Sequence, residues 1–301
     1  MGTPEFAVPS LKILLDHGYE IPAVVTAVDK PGGRKGMQQS AIKSFAMERG
    51  IPVLQPEKLK NPEFIEALRA YQADLQVVVA FRMLPQVVWN MPHMGTLNLH
   101  GSLLPNYRGA APINWAIING EKETGVTTFL LQHEIDTGDL LFQKKITIGE
   151  NETAGELHDR MMEVGAQLVL QTVQALEAGK AQPKPQSNMQ ASYAPKIHTE
   201  TCKINFSAPS STVHNFIRGL SPYPGAWTML GDKTFKILRT VVLREHRAPE
   251  LQGVLYSPDK RTICVDTADG TLQILELQIE GKRRMSAQEF LNGHELPVTS
   301  G

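Results

Sequence analysis

The run Asp74–Phe81, DLQVVVAF, restricts the fold of this 301-residue chain more than any other stretch. Its apolar residues follow one another without the polar alternation of a half-exposed strand. Such a segment suits a strand covered on both faces, the environment of a parallel sheet with helices on either side. The neighbouring segments supply those helices. Asn61-Pro62-Glu63 combines a capping side chain, a first-turn proline and an acidic start, and predicts a helix to about Tyr71. Ile21–Val28 reads as a strand, Ala41–Arg49 as a helix stopped by Gly50, and Ile51–Leu54 as a short strand. Pro85–Trp89 is a short helix ahead of the alternating strand Thr96–His100. This succession is that of an α/β domain with a doubly wound, mostly parallel sheet. Its start is unusual. A glycine turn opening a helix, as in Gly2-Thr3-Pro4, ordinarily follows a strand, and none precedes it in the sequence. The first strand is therefore expected to be missing from the sheet, at a cost in stability.

Further along, Gly125–Leu131 and Leu140–Ile148 read as strands, and Thr153-Ala154-Gly155-Glu156 is a capping box for a long helix ending at Gly179. Residues 180–200 carry three prolines and little apolar material, the composition of a linker. The expected division is a first domain over 1–179, a linker over 180–201 and a second domain over 202–301. In the second domain a helix over Ser211–Arg218 is followed by five closely spaced strand candidates: Ala226–Leu230, Phe235–Leu243, Gly253–Tyr256, Thr262–Asp266 and Thr271–Leu277. Short strands at that spacing predict a small β-barrel, with an OB-like fold as one candidate. Charge divides in the same way, with 15 basic against 20 acidic residues over 1–178 and 15 against 11 over 179–301. The positive second half fits an anionic partner or, equally, a few solvated lysines. Two distant cysteines, Cys202 and Cys264, form no metal-binding spacing and fit a reducing cytoplasm. The sequence shows no long apolar run and no cleavable leader pattern, so neither secretion nor a membrane span is expected.

Residues able to carry chemistry gather in Thr96–Gly109, TLNLHGSLLPNYRG. Alternation along a strand puts Asn98 and His100 on one face, where an amide and an imidazole together could polarise a carbonyl. The loop Ser102–Pro105 leaves the strand's carboxyl end, the place where open α/β sheets bind ligands. A half-buried strand with two satisfied polar residues is the bland alternative. Asp136 heads the turn Asp136-Thr137-Gly138-Asp139, and either organises that turn or meets His100, depending on how the sheet folds. Arg34 and Lys35 lie in the glycine-rich loop Asp29–Gly36, DKPGGRKG, suited to anion contact or simply to solvent. That loop lacks the spacing of a phosphate-binding P-loop, and the chain has no GxGxxG fingerprint.

The run Asn98–Pro105, NLHGSLLP, with Arg108-Gly109 and the Asp136–Asp139 turn downstream, resembles the signature of the formyltransferase family that uses 10-formyltetrahydrofolate. The resemblance spans nearly the whole chain, including the start MGTPEFAV, the DKPGGR loop and the second domain. It implies a catalytic set of Asn98, His100 and Asp136, with no metal. Ser102, Leu103, Leu104 and Pro105 would line the folate site, with the pterin near the loop after Phe81. Arg82 stands where the family usually carries glycine, and would either reshape that loop or meet the folate's glutamate tail. Arg34 and Lys35 would reach the acceptor stem of a tRNA whose body rests on the second domain. Within the family, the DKPGGR loop, the Asp136 turn and Ser221–Trp227, SPYPGAW, favour initiator methionyl-tRNA as the amine. An amino-sugar nucleotide is the alternative amine, and a non-catalytic nucleotide- or RNA-binding module is the alternative of another class. A cytoplasmic monomer is the expected state.

Overall fold

In a computed structural model the described residues are 1–31, 37–134, 136–187, 189, 191–243 and 249–296. Arg34 and Lys35 lie outside them. The chain divides into two compact units. One comprises Met1–Gly109, Gly125–Ile146 and His158–Tyr193; the other comprises Ala110–Thr124, Thr147–Leu157 and Ala194–Gly301.

The first unit is the expected α/β sheet. Its strands are β1 (Val24–Val25), β2 (Val53–Leu54), β3 (Gln76–Val79), β4 (Thr96–His100), β5 (Glu123–Leu130) and β6 (Leu140–Thr147). Among the described residues they pair as β1-β2 and as β3-β4-β5-β6. The β1-β2 and β3-β4 pairs are parallel, whereas β4-β5 is antiparallel. Helix α1 (Val8–Asp16) carries Pro9 in its first turn, and Pro4 precedes the short 3-10 turn Glu5–Ala7 ahead of it. Helix α2 (Ala41–Met47) is capped by the Ser40 hydroxyl, which accepts from the Lys43 amide. Helix α3 (Pro62–Ala70) is capped by Asn61, whose Oδ1 accepts from Glu63 N at 3.0 Å. The long helix α4 (Ala154–Glu177) opens on the predicted capping box: Glu156 accepts from the Thr153 amide and Thr153 Oγ1 from the Glu156 amide. It ends at Glu177, and Gly179, whose φ of +62° suits a residue without Cβ, turns the chain beyond it.

The place expected to lack a strand is held by two residues. Gly2 N donates to Val25 O at 3.0 Å and Val79 N donates to Met1 O at 2.9 Å, with Gly2 bridging Val79 in parallel. Met1 and Gly2 thus lie in register between β1 and β3. A cavity of about 410 Å³ opens beside Met1, with Leu14, Val24, Leu68, Val77 and Val173 in its wall. The Met1 ammonium donates to Val77 O at 2.6 Å, and burial lowers its pKa from 8.0 to about 5.

In the second unit, helix α5 (Ser210–Gly219) precedes an antiparallel sheet of β7 (Ala226–Leu230), β8 (Lys233–Leu243), β9 (Ile263–Asp266) and β10 (Thr271–Ile279). The order is β7-β8-β10-β9, and β11 (Met285–Ser286) also pairs with β10. Register shifts around Arg239 break the regular β8-β10 ladder and provide the local bending that a curled sheet needs. Phe235, Ile237, Val265, Ile274, Leu277 and Phe290 form its buried core. Four of the five predicted strands are present. Gly253–Tyr256 is not a strand: only Tyr256 bridges, to Cys264, because positive φ at Gly253 turns the chain away. Its place as a fifth strand is taken by Met285–Ser286, ahead of a capping box at Ser286 and Glu289.

Candidate active site

Strand β4 lies inside the sheet, paired with β3 on one side and β5 on the other, and delivers Asn98 and His100 to its carboxyl end. Asn98 sits between Val78 and Phe129, and His100 pairs with Thr127. The Asn98 side chain is half-buried and makes no hydrogen bond among the described residues, so its amide is free to donate. His100 is buried. Its Nε2 lies 2.8 Å from Tyr107 O. A carbonyl only accepts, so Nε2 is the nitrogen that donates to it, and Nδ1 is the other ring nitrogen.

The sheet brings Asp136 to that nitrogen. Asp136 Oδ2 is 3.7 Å from His100 Nδ1, with both side chains largely shielded from water. At this distance the two side chains are neighbours without a direct hydrogen bond. Oδ2 also accepts from Gly109 N at 2.8 Å, whereas Oδ1 takes no hydrogen bond among the described residues. Asp136 adopts φ +55°, a left-handed conformation that Asp tolerates better than most side chains.

The loop after β4 is fastened by two residues that the sequence reading did not single out. Thr127 Oγ1 donates to Ser102 O at 2.6 Å and accepts from Leu104 N at 3.1 Å. Gln143 Nε2 donates to Leu104 O at 2.8 Å and to Thr127 Oγ1 at 3.0 Å. Ser102 is itself fully buried, and its hydroxyl donates to Asn106 O at 2.5 Å, closing the loop. Leu104 is buried, and Leu103 and Pro105 are half-buried. Phe81 packs at the edge of the core around Val78 and Leu84. Arg82 is exposed, with its guanidinium 5.6 Å from the Phe81 ring centre, and donates to Glu57 O at 2.8 Å and to Pro56 O. It ties the loop after β3 to residues 56–57.

Two more missed residues come from the stretch read by composition as a linker. Ser192 Oγ accepts from Tyr107 N, and Ser192 O accepts from Arg108 N, both at 2.9 Å. Gln186 touches the backbone of the Asp136 turn and the buried Arg108 guanidinium. Proline and glutamine content gave no sign of these contacts, which depend on where the chain returns in space. Among the described residues, no group of three or more His, Cys, Asp or Glu side chains is placed to hold a metal ion, and no helix is long and apolar enough to cross a membrane.

Residues 2–173 match the family model described as formyl transferase, and residues 196–295 match the formyl transferase C-terminal domain. The chain belongs to the formyl transferase family. Among relatives of this formyl transferase chain, the methionyl-tRNA formyltransferase of Parabacteroides distasonis is 49% identical over 304 residues, covering 97% of this chain and 94% of that protein. The methionyl-tRNA formyltransferase of Bacteroides fragilis is 47% identical over 305 residues, covering 98% and 94%. Among solved structures, an N-formyltransferase from Helicobacter canadensis, in complex with folinic acid and dTDP-3-aminofucose, superposes with a TM-score of 0.68 at 22% identity. It covers 92% of this chain and 97% of its own, and at that identity the likeness speaks for the formyl transferase fold.

Proposed function

We infer that this chain transfers the formyl group of 10-formyltetrahydrofolate to the free amino group of initiator methionyl-tRNA, in the cytoplasm and as a monomer. The observation that carries the chemistry is the placement of Asp136 Oδ2 3.7 Å from His100 Nδ1, beside the unengaged amide of Asn98. In this reading the amine attacks the formyl carbon, forming a C–N bond and placing negative charge on the formyl oxygen. The Asn98 amide and the His100 Nδ1–H donate to that oxygen, each such donor contributing roughly 2.7–4 kcal/mol in the transition state. Tyr107 O holds the ring's orientation, and Asp136 stabilises its charge. Asp136 Oδ1 takes the proton shed by the amine. Collapse of the intermediate breaks the bond from the formyl carbon to the folate nitrogen, which receives a proton in turn.

The folate would lie against Ser102–Pro105 and Phe81, with Arg82 at the outer edge of the site. Arg34 and Lys35 would contact the acceptor stem. Catalysis is assigned to 1–179 and tRNA-body binding to 202–301, where the exposed Lys203, Lys233 and Lys282 are available to phosphates. The identity of the chain to relatives named methionyl-tRNA formyltransferase supports the tRNA over an amino-sugar nucleotide. The test supplies 10-formyltetrahydrofolate with either charged initiator tRNA or an amino-sugar nucleotide and follows formyl transfer. Formylation of the tRNA is expected. Formylation of the sugar alone would overturn the choice of substrate, and transfer to neither would overturn the enzymatic reading.

A further inference from the structure

Gln186 has both ends of its amide engaged around the turn that carries Asp136. Its Nε2 donates to Asp136 O at 2.8 Å and to Gly138 O at 2.7 Å. Its Oε1 accepts from Arg108 Nη2 at 2.8 Å and from Arg108 Nε at 3.3 Å. Arg108 is buried, and the next residue, Gly109, donates its N–H to Asp136 Oδ2. The contacts therefore close a ring. Arg108 anchors Gln186, Gln186 grips the backbone of residue 136, and Gly109 receives the carboxylate of that same residue. Only a side chain with a donor end and an acceptor end fits between a guanidinium and two carbonyls. The gripped residue is Asp136, whose left-handed backbone persists where its surroundings hold it.

We propose that Gln186 is a positioning residue for catalysis, holding the Asp136 carboxylate at its distance from His100 through the 136–138 backbone. The proposal rests on the reading of Asp136 as a catalytic group. Gln186 touches no reacting atom. Its effect passes through the height and tilt of the turn, where a displacement on the ångström scale separates a carboxylate that serves an imidazole from one that does not.

Gln186→Glu is the discriminating variant. It keeps the length and the acceptor for Arg108, but replaces the donor with a carboxylate oxygen facing two carbonyls. Gln186→Ala removes both ends. For each full-length variant, kcat and KM would be measured with 10-formyltetrahydrofolate and initiator methionyl-tRNA, alone and combined with Asp136→Asn. Misplacement of the carboxylate predicts a fall in kcat of roughly 10- to 100-fold, with both KM values within about twofold. Because Gln186 acts through Asp136, the same substitutions should change kcat by about twofold or less in the Asp136→Asn background. A Gln186→Glu enzyme with unchanged kcat, or losses that multiply in the double variants, would overturn the proposal. If Asp136→Asn itself retained full kcat, the catalytic reading would fall first and this proposal with it.

Discussion

In a chain that starts at Met1, acetylating the amino group of that residue should stabilise the fold by an amount that grows as the pH falls. The ammonium lies against Val77 O at the half-buried Met1, and its pKa drops from 8.0 to about 5 because desolvation disfavours the charged form. A cationic group whose folded pKa is lowered binds fewer protons folded than unfolded. Between pH 5 and 8, stability must therefore rise with pH. Three units at 1.36 kcal/mol each put the full penalty at roughly 4 kcal/mol below pH 5. It shrinks to about 1.4 kcal/mol at pH 7 and vanishes well above pH 8. An acetylated nitrogen keeps one N–H for Val77 O, carries no charge, and has a cavity of about 410 Å³ beside it for the acetyl group. Tyr19, Glu20, Asp74 and Glu177 also line that cavity. They are common to both forms, so the difference between acetylated and free chains isolates the ammonium. Urea unfolding of both chains at pH 5, 6, 7 and 8 measures it. The acetylated chain should be the more stable at pH 5, with the two converging towards pH 8. A difference that stays constant across this range would refute the argument, because it would mean the amino group reaches water in the folded chain.

Asn98→Ala removes one donor to the developing oxyanion and should lower kcat by about 10²- to 10³-fold with little change in KM, as steady-state kinetics would show. Gly138→Ala would drive a Cβ into the backbone of Leu130. The turn must then shift away from β5, and formyl transfer should fall at least as far as in Asp136→Asn while far-UV circular dichroism stays native. Thr127→Val leaves Ser102 O and Leu104 N without their hydroxyl partner. About 1–3 kcal/mol of stability should be lost, with KM for the folate rising more than KM for the tRNA. Affinity for tRNA should fall as salt rises, with a log–log slope of about 0.7–0.9 per phosphate contact. Arg34→Ala should make that slope shallower by about one contact in a filter-binding titration.

Local features of the sequence carried over because they depend on near neighbours. Asn61 caps its helix within two residues, Thr153 and Glu156 close their box within three, and Gly179 turns the chain where the periodic pattern stops. The apolar run over Gln76–Val79 forms a parallel pair with Thr96–Leu99 because both faces can be buried only in such a sheet. The misplaced strand at Gly253–Tyr256 had suitable residues but no continuous partner edge, and edges are made by distant chain.

The candidate site divides along the same line. That Asn98 and His100 share a face follows from strand alternation, which is a property of the backbone itself. That Asp136 meets His100 does not: they are 36 positions apart in sequence, the antiparallel pairing sets the end of β5 beside the start of β4, and only the path of the segment after β5 brings the carboxylate back to 3.7 Å from the imidazole. The residues that steady them, Thr127, Gln143, Gln186 and Ser192, carry no local pattern of their own, since a hydrogen bond is decided by where two atoms end up. Composition and periodicity determined the elements and the face bearing the donors. Packing decided which carboxylate lies beside His100 and which glutamine grips its turn, because the free energy of those contacts exists only once distant segments share the same space.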